Sequence, residues 1–336
     1  MNAKQLKKVF ARSEVTVIIA VLVLGLIFTL FSDSFLTAYN LFNLERTAAI
    51  YIFIAIAQAL VVIVGGMNLS LGYIGGLTVV AVGYSIQVAG IPPMIAIVIG
   101  LVVGAAAGFL NGLVITVLKL NSFVVTLATS FIFTGLVNGI SQGFPYDKIP
   151  QSFTLVGRGG FLGVPYMLWM AVAALLLLGY FFKYTVTGRR ILATGGNVEA
   201  AKMSGINTDR MVILVNIGSG IFASLAAVLW ISRTGSAQPS TGADWMLISF
   251  AVAVIGGTAL KGGVFNPIGV LFAGMLIVMV KNGLVMLNAN VYYEQTYLGL
   301  ILLLAVSLES IKAIYNVRRS QKRLKQQRQQ SGVQNQ

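Results

Sequence analysis

Ten apolar stretches, at about residues 15–31, 48–64, 71–88, 93–117, 123–140, 166–182, 211–232, 245–260, 266–287 and 296–311, constrain this chain more than anything else in it. Each is near the ~20 residues a helix needs to cross the ~30 Å hydrocarbon core of a bilayer. Backbone amides in that environment must be satisfied within the segment, and uninterrupted runs of this kind do so as helices. The expected fold class is all-α: a polytopic transmembrane helical bundle of about ten spans. With 57% hydrophobic and 10% charged residues, 336 residues could not clothe a water-facing surface. The first run has a basic flank, but no small-x-small cleavage site follows it, so it reads as a retained span.

Charge placement orients the bundle. Lys4, Lys7, Lys8 and Arg12 precede the first run, and seven cations from Lys312 to Arg328 follow the last. With the amino terminus inside and ten crossings, 18 of the 23 basic residues fall inside and four (Arg46, Lys148, Arg158, Arg233) outside, with Lys281 left within a span. That asymmetry supports an even number of crossings and two cytoplasmic termini; eight or twelve would also be even. The organisation expected is a basic amino-terminal segment (1–14), a transmembrane domain (15–311), and a basic, low-complexity, disordered tail (312–336). The net charge of +14 flanks membrane segments and suits anionic lipid, so it does not point to nucleic acid. The exterior stretch between the fifth and sixth spans reads as a folded cap or re-entrant turn.

Glycine marks the packing. Gly100, Gly104, Gly108 and Gly112 recur every fourth residue and line one helix face for close approach. Two breaks, VGGMNLSLG (64–72) and IGGTALKGG (255–263), look alike, as do the Asn-Gly-Leu-Val segments at 111–114 and 282–285. Their offsets differ, which leaves a duplicated half open, and paired Gly-interrupted segments point to a pathway near mid-membrane.

Cys and His are both absent, which excludes thiolate and imidazole metal sites and His-based acid–base chemistry. There is no phosphate-binding loop and no nucleophile–base pair, so neither a catalytic residue nor a metal site is expected, and any ATP chemistry must lie elsewhere.

The long polar interval Thr187–Arg210 stands out against this background. Gly195-Gly196-Asn197 reads as a turn leading into a short helix. Glu199 sits in its first turn, where it complements the helix dipole, and Gly205 is a stop signal after Ala200, Ala201 and Met203. Local physics leaves two readings, a docking helix for a partner or a solvated loop whose cations set topology.

TGRRILATGGNVEAAKMSGIN closely resembles the coupling loop of ABC-type monosaccharide import permeases, the ribose, xylose and galactose group. GGMNLSLG, LNG (110–112), SAQPSTG (236–242), IGGTALKGG and NGL (282–284) resemble that family's landmarks in the same order, over essentially the whole chain. The resemblance implies a bacterial inner-membrane importer with two permease subunits (a second copy or a paralogue), ABC ATPase subunits that bind ATP and Mg, and an external solute-binding protein. It implies no cofactor on this chain. The segment 183–210 would be cytoplasmic, and Gly195, Gly196, Asn197, Glu199, Ala200, Ala201, Ser204 and Gly205 would form the ATPase-coupling element.

The chain departs from the family pattern in four places: Asn68 stands for the usual Asp, Met246-Leu247-Ile248 for Glu-Leu-Asp, Ser122 for Pro, and Lys281 for a neutral amide. Sugar hydroxyls need amide and hydroxyl partners, so Asn68, Ser70, Asn111, Asn121 and Ser122 are pathway candidates; the alternative is that each bonds between helices. Lys281 joins them as a cation that needs a cavity or a partner such as Glu294, with a structural or dimer-interface role favoured over substrate contact. The cargo could also be a nucleoside or a signalling furanose. An ion-driven secondary transporter would place carboxylates inside its spans, and a membrane enzyme would show a catalytic set; neither is evident.

Overall fold

The computed structural model describes residues 13–258 and 262–286, with a few positions between 293 and 303. It divides into two units, residues 1–289 and 290–336. In the second, the rings of Tyr293 and Tyr297 lie 6.5 Å apart on the described helical positions. The tenth expected span, both terminal basic segments, Lys261 and Glu294 lie wholly or mostly outside the described residues.

The first unit is helical. Its elements are α1 (Ser13–Phe31), α2 (Ala38–Ile63), α3 (Leu71–Gln87), α4 (Pro93–Val117), α5 (Ser122–Ser141), α6 (Gln151–Arg158), α7 (Tyr166–Tyr184), α8 (Val186–Gly196), α9 (Val198–Met203), α10 (Thr208–Thr234), α11 (Trp245–Ile255) and α12 (Pro267–Met286). Among the described residues, seven of these are long and apolar enough to cross a membrane, while α3 and α11 are apolar but shorter. Each of the first nine expected spans therefore falls on one helix. Two boundaries need correction. The second span starts ten residues early, at Ala38, because Thr37 caps it (Asn40 N donates to Thr37 Oγ1, 3.4 Å) and its polar first turns stay helical. The eighth ends at Ile255, because Gly257 takes a left-handed conformation (φ 80°) that stops the helix.

Helix α2 is the axis of the bundle, buried without interruption from Ala48 to Ile63. Helix α10 packs on it, and α4 packs on α10 along Gly104, Gly108 and Gly112 of the stripe, with Gly100 against Thr78 and Val82 of α3. A Cβ on Gly104 would overlap Ser224 Oγ and the Gly220 carbonyl, and one on Gly108 would overlap the Asn216 carbonyl. The stripe is thus a backbone-to-backbone contact.

The segment between α5 and α7 is locally folded: α6 is followed by a hairpin of two-residue strands, β1 (Gly160–Phe161) paired antiparallel with β2 (Val164–Pro165). Leu162 and Gly163, both at positive φ, make its turn. Tyr146 and Ala237 exchange backbone hydrogen bonds (3.0 and 2.9 Å), which ties this segment to the one before α11. Burial, then the neighbouring Tyr84, pushes the Tyr146 phenol above its ordinary pKa.

Gly104→Val is expected to destabilise the protein by at least the ~1–3 kcal/mol of ordinary overpacking, because backbone must move. Gly135→Ala, whose methyl meets open space, is expected to be neutral or to stabilise by ~0.5–1 kcal/mol. Thermal unfolding of the two variants in detergent, followed by size-exclusion fluorescence, separates them.

Candidate functional site

The polar interval folds into two helices joined by one residue. Gly195 and Gly196, expected as a turn, instead complete the last turn of α8. Asn197 alone is the joint: its N–H closes α8 on the Ala193 carbonyl (3.1 Å), and its Oδ1 accepts from Ala200 N (2.9 Å) to open α9. Glu199 lies in the first turn of α9 as expected. Ser204 Oγ donates to the Ala200 carbonyl (2.9 Å). Gly205 (φ 76°) then ends the helix with the two reversed bonds of a Schellman stop, Gly205 N to Lys202 O and Ile206 N to Ala201 O. Asn207 caps α10 in the same way, through Arg210 N (2.9 Å). Six residues are too few for a free helix; these caps and the buried Ala201 hold it. Glu199 and Ala200 are exposed, and so is Met203, at 90%. A bare methionine beside charged neighbours is a contact that composition alone did not single out.

The base of this segment rests on bare backbone. A Cβ on Gly195 would overlap the Ile63 carbonyl oxygen, at the end of α2, and crowd Gly263 N. Gly263 N in turn donates to that same carbonyl (2.7 Å). Both glycine breaks reach this point through the same device. Gly65 (φ 77°) and Gly257 (φ 80°) each close a Schellman stop, with Gly66 N bonded to Val61 O and Thr258 N to Ala253 O. The breaks are therefore paired helix stops, and the end of α8 sits on both.

Beyond the first stop, residues 64–70 run inward. Ser122 and Thr126 of α5 serve their backbone: Met67 N donates to Ser122 Oγ (3.0 Å), Leu69 N to Thr126 Oγ1 (3.1 Å), and Thr126 Oγ1 to Met67 O (3.2 Å). The departure from Pro at 122 thus supplies an acceptor. Asn68, Ser70 and Asn111 come together in one buried relay. Thr129 Oγ1 donates to Asn111 Oδ1, Asn111 Nδ2 to Ser70 Oγ, Ser70 Oγ to Asn68 Oδ1 (each 2.8 Å), and Asn68 Nδ2 to Ser219 Oγ (2.9 Å). Asn in place of Asp at 68 provides the last donor. Ser219 lies near the middle of α10, so this is a mid-bundle polar layer. Asn121 is placed apart: it caps α5 through Phe123 N (2.9 Å) and is exposed.

The segment before α11 reaches the same depth. Gly83 of α3 faces Ala237 and Tyr146, and Gly72 faces Gly242 so closely that a Cβ on either would overlap the other's carbonyl. From Gly83 to Gly72 is about 16 Å at 1.5 Å per residue. Residues 237–242 therefore descend roughly half-way into the bundle, and α11 starts there.

Lys281 secures the foot of this descent. Its Nζ donates to Tyr51 OH (2.8 Å), lies 5.3 Å from the Tyr51 ring centre, and is 3.8 Å from Asp244 Oδ2. Met246 and Ile248, where carboxylates are usual, are part-exposed and buried respectively.

Apolar spanning helices, non-helical backbone returning to a polar layer at mid-depth, and a rigid segment presented at one end define a membrane permease. The chain belongs to the family described as branched-chain amino acid transport system / permease component, whose pattern matches residues 40–306. It is similar to the ribose import permease protein of Bacillus subtilis strain 168, 36% identical over 87% of this chain and 91% of that one. It is also similar to the L-arabinose transport system permease protein of Escherichia coli K12 (36%; 62% and 66%) and the autoinducer 2 import system permease protein of Photorhabdus luminescens (28%; 95% and 99%). No solved structure matches.

Two outcomes are expected. Gly195→Ala should lower thermal stability in detergent, by about the 1–3 kcal/mol of overpacking, while Gly196→Ala, with open space at its Cβ, should not. Asp244 is half exposed, so a double-mutant cycle of Lys281→Met with Asp244→Asn should give a coupling of only ~0.2–1 kcal/mol.

Proposed function

We propose that this chain is the membrane subunit of an ATP-driven importer that moves a neutral monosaccharide delivered by an external solute-binding protein. It works beside a second permease, a copy or a paralogue, in a bacterial inner membrane. The observation that carries the reading is the capped helix α9 with exposed Glu199 and Met203, joined through Asn197 to α8, whose Gly195 and Gly196 pack on the ends of both glycine breaks. It suits a docking knob for a separate ATPase, which would hold ATP and Mg. Gly195, Gly196 and Asn197 set its base, Ala200 and Ala201 its two faces, and Ser204 and Gly205 its end. Ten crossings with both termini inside put α8 and α9 in the cytoplasm, in keeping with the charge asymmetry. In this reading the relay of Asn68, Ser70 and Asn111 positions the pathway's walls, Ser122 holds the first break, Asn121 caps α5, and Lys281 fixes the segment before α11.

The sugar reading draws support from relatives named for ribose and L-arabinose. Against an ion-driven carrier stands the placement of acid. In the described long helices Glu14, Glu45 and Asp209 all lie toward a helix end, and none sits at mid-span where ion coupling needs one.

Vesicles holding the assembled importer should take up labelled D-ribose, L-arabinose or D-galactose only with ATP and the binding protein. Glu199→Arg should cut that uptake at least about tenfold, about 1.4 kcal/mol of lost docking, at unchanged permease level. Full uptake by Glu199→Arg, or uptake driven by an ion gradient alone, would overturn the reading.

A further inference from the structure

The segment that descends beside α3 does more than fill space. Between it, α3 and the far half of α5 lies a cavity of about 300 Å³, lined among others by Tyr73, Gly76, Thr134, Asn138, Ser240 and Thr241. We propose that this cavity binds one neutral monosaccharide ring on its way through the permease, with Thr241 and Asn138 as its hydrogen-bonding anchors and the Tyr73 ring as its stacking face. The proposal rests on the importer reading above and adds the site within it.

The first argument is an orphaned atom. Thr241 is 8% exposed, and its hydroxyl oxygen is buried with no hydrogen-bond partner. Of the buried side-chain atoms without a partner among the described residues, it is the one whose residue lines this cavity. Buried polar groups are nearly always satisfied, so an unsatisfied one on a residue that lines a cavity calls for an account, and a ligand hydroxyl drawn in beside it supplies one.

The second argument is the backbone. Non-helical chain at membrane depth persists only where protein covers it or where it lines a polar cavity, and discontinuous helices mark substrate sites in transporters. Here Gly76 brings α3 against the carbonyls of Thr241 and Pro239, with the nearest approach 3.0 Å from where a Cβ would stand. A side chain at 76 would fill part of the cavity.

The third argument is chemistry. Thr134 commits its proton to the Ser130 carbonyl (2.7 Å) and so offers lone pairs. The Asn138 amide and the Ser240 hydroxyl are exposed, and they can donate and accept. Tyr73 is half-buried and supplies a flat apolar face for the C–H side of a sugar ring. None of the lining residues is charged. A zwitterionic amino acid would leave both of its charges unpaired here, whereas a polyol finds a partner for each hydroxyl. The volume lies at the lower end of the ~300–1,000 Å³ typical of small-molecule sites, which suits one ring.

The chain contains no cysteine, so an introduced thiol is unique in it. Ser240→Cys, Asn138→Cys and, as a reference on the exposed hairpin turn, Leu162→Cys are made in the assembled permease–ATPase complex in nanodiscs. Each is modified with a small water-soluble methanethiosulfonate, with or without high-millimolar D-ribose, L-arabinose or D-galactose, and with L-leucine as the amino-acid comparison. The sugar that vesicles import should slow modification of Ser240→Cys and Asn138→Cys about three- to tenfold, the worth of one or two hydrogen bonds, and leave Leu162→Cys unaffected. Added to Ser240→Cys, Thr241→Val should abolish the protection and Thr241→Ser should restore it. Import of a sugar with no protection at either thiol, or protection that survives Thr241→Val, overturns the site and leaves the importer standing. Protection by L-leucine with leucine import overturns both, as does the absence of any sugar import.

Discussion

One main-chain hydrogen bond organises the end of this molecule where α8 and α9 sit: the Gly263 N–H donates to the Ile63 carbonyl at 2.7 Å, with Gly195 packed against the same oxygen. The geometry exists because three glycines leave no side chain between three backbones. The first helix stop leaves the Ile63 carbonyl free of any helical partner, and a carbonyl so placed must find a donor. It finds one from the other glycine break, 200 residues along the chain. Side-chain contacts can yield by changing rotamer; backbone contacts of this kind cannot, so α2, the second break and α8 are held as one body.

A second glycine contact, Gly72 against Gly242, does the same at mid-depth. Around it the bundle is held by neutral polar groups, the Thr129–Asn111–Ser70–Asn68–Ser219 relay, with Thr78 and Ser224 sharing a bond at 2.7 Å beyond it. Each such bond in lipid is worth only about 0.6–2 kcal/mol. Their common effect is to fix the depth at which α3 and α11 begin. Neutrality matters as well, because a carboxylate at 68 would offer no hydrogen to Ser219 and would add a charge that this layer has nothing to balance.

The extent to which sequence anticipated this follows from the range of each signal. Span positions depend on length and composition within a window, and nine were found at their helices. The short helix α9 was readable because Asn197, Glu199 and Gly205 are local cap signals acting within four residues. The error at Gly195-Gly196 was also local: glycine reads as a turn, yet here it is kept for contact, and a helical glycine pressed on a distant carbonyl leaves no trace in its own neighbourhood. The polar candidates divided for the same reason. Asn121 does what an asparagine before a helix does by itself, whereas Asn68, Ser70 and Asn111 acquire their roles only when four elements converge. Gly72, Gly75, Gly76 and Gly83 carried a usable signal, small residues at near-helical spacing like that of Gly100–Gly112. Against them pack Gly242, the ring of Trp245, the Thr241 carbonyl and Ala237.

The two glycine contacts are joined by two short rods. Helix α11, about 16 Å long at its eleven residues, runs from the Gly242 contact to the Gly257 stop that opens the second break, whose Gly263 packs on α8. Residues 64–70 run from the Ile63 carbonyl to Gly72 by the other route. A displacement of α8 and α9 by a partner would therefore reach mid-depth along both rods at once, and both end on the same pair of glycines. The walls that meet there, α3 and the descending segment before α11, are two walls of the cavity that holds the uncommitted Thr241 hydroxyl. Packed backbone has few intermediate arrangements, so in the proposed importer movement of α8 and α9 would open or close that cavity in steps rather than by degrees. On that reading a segment with no contact to the cargo governs its passage.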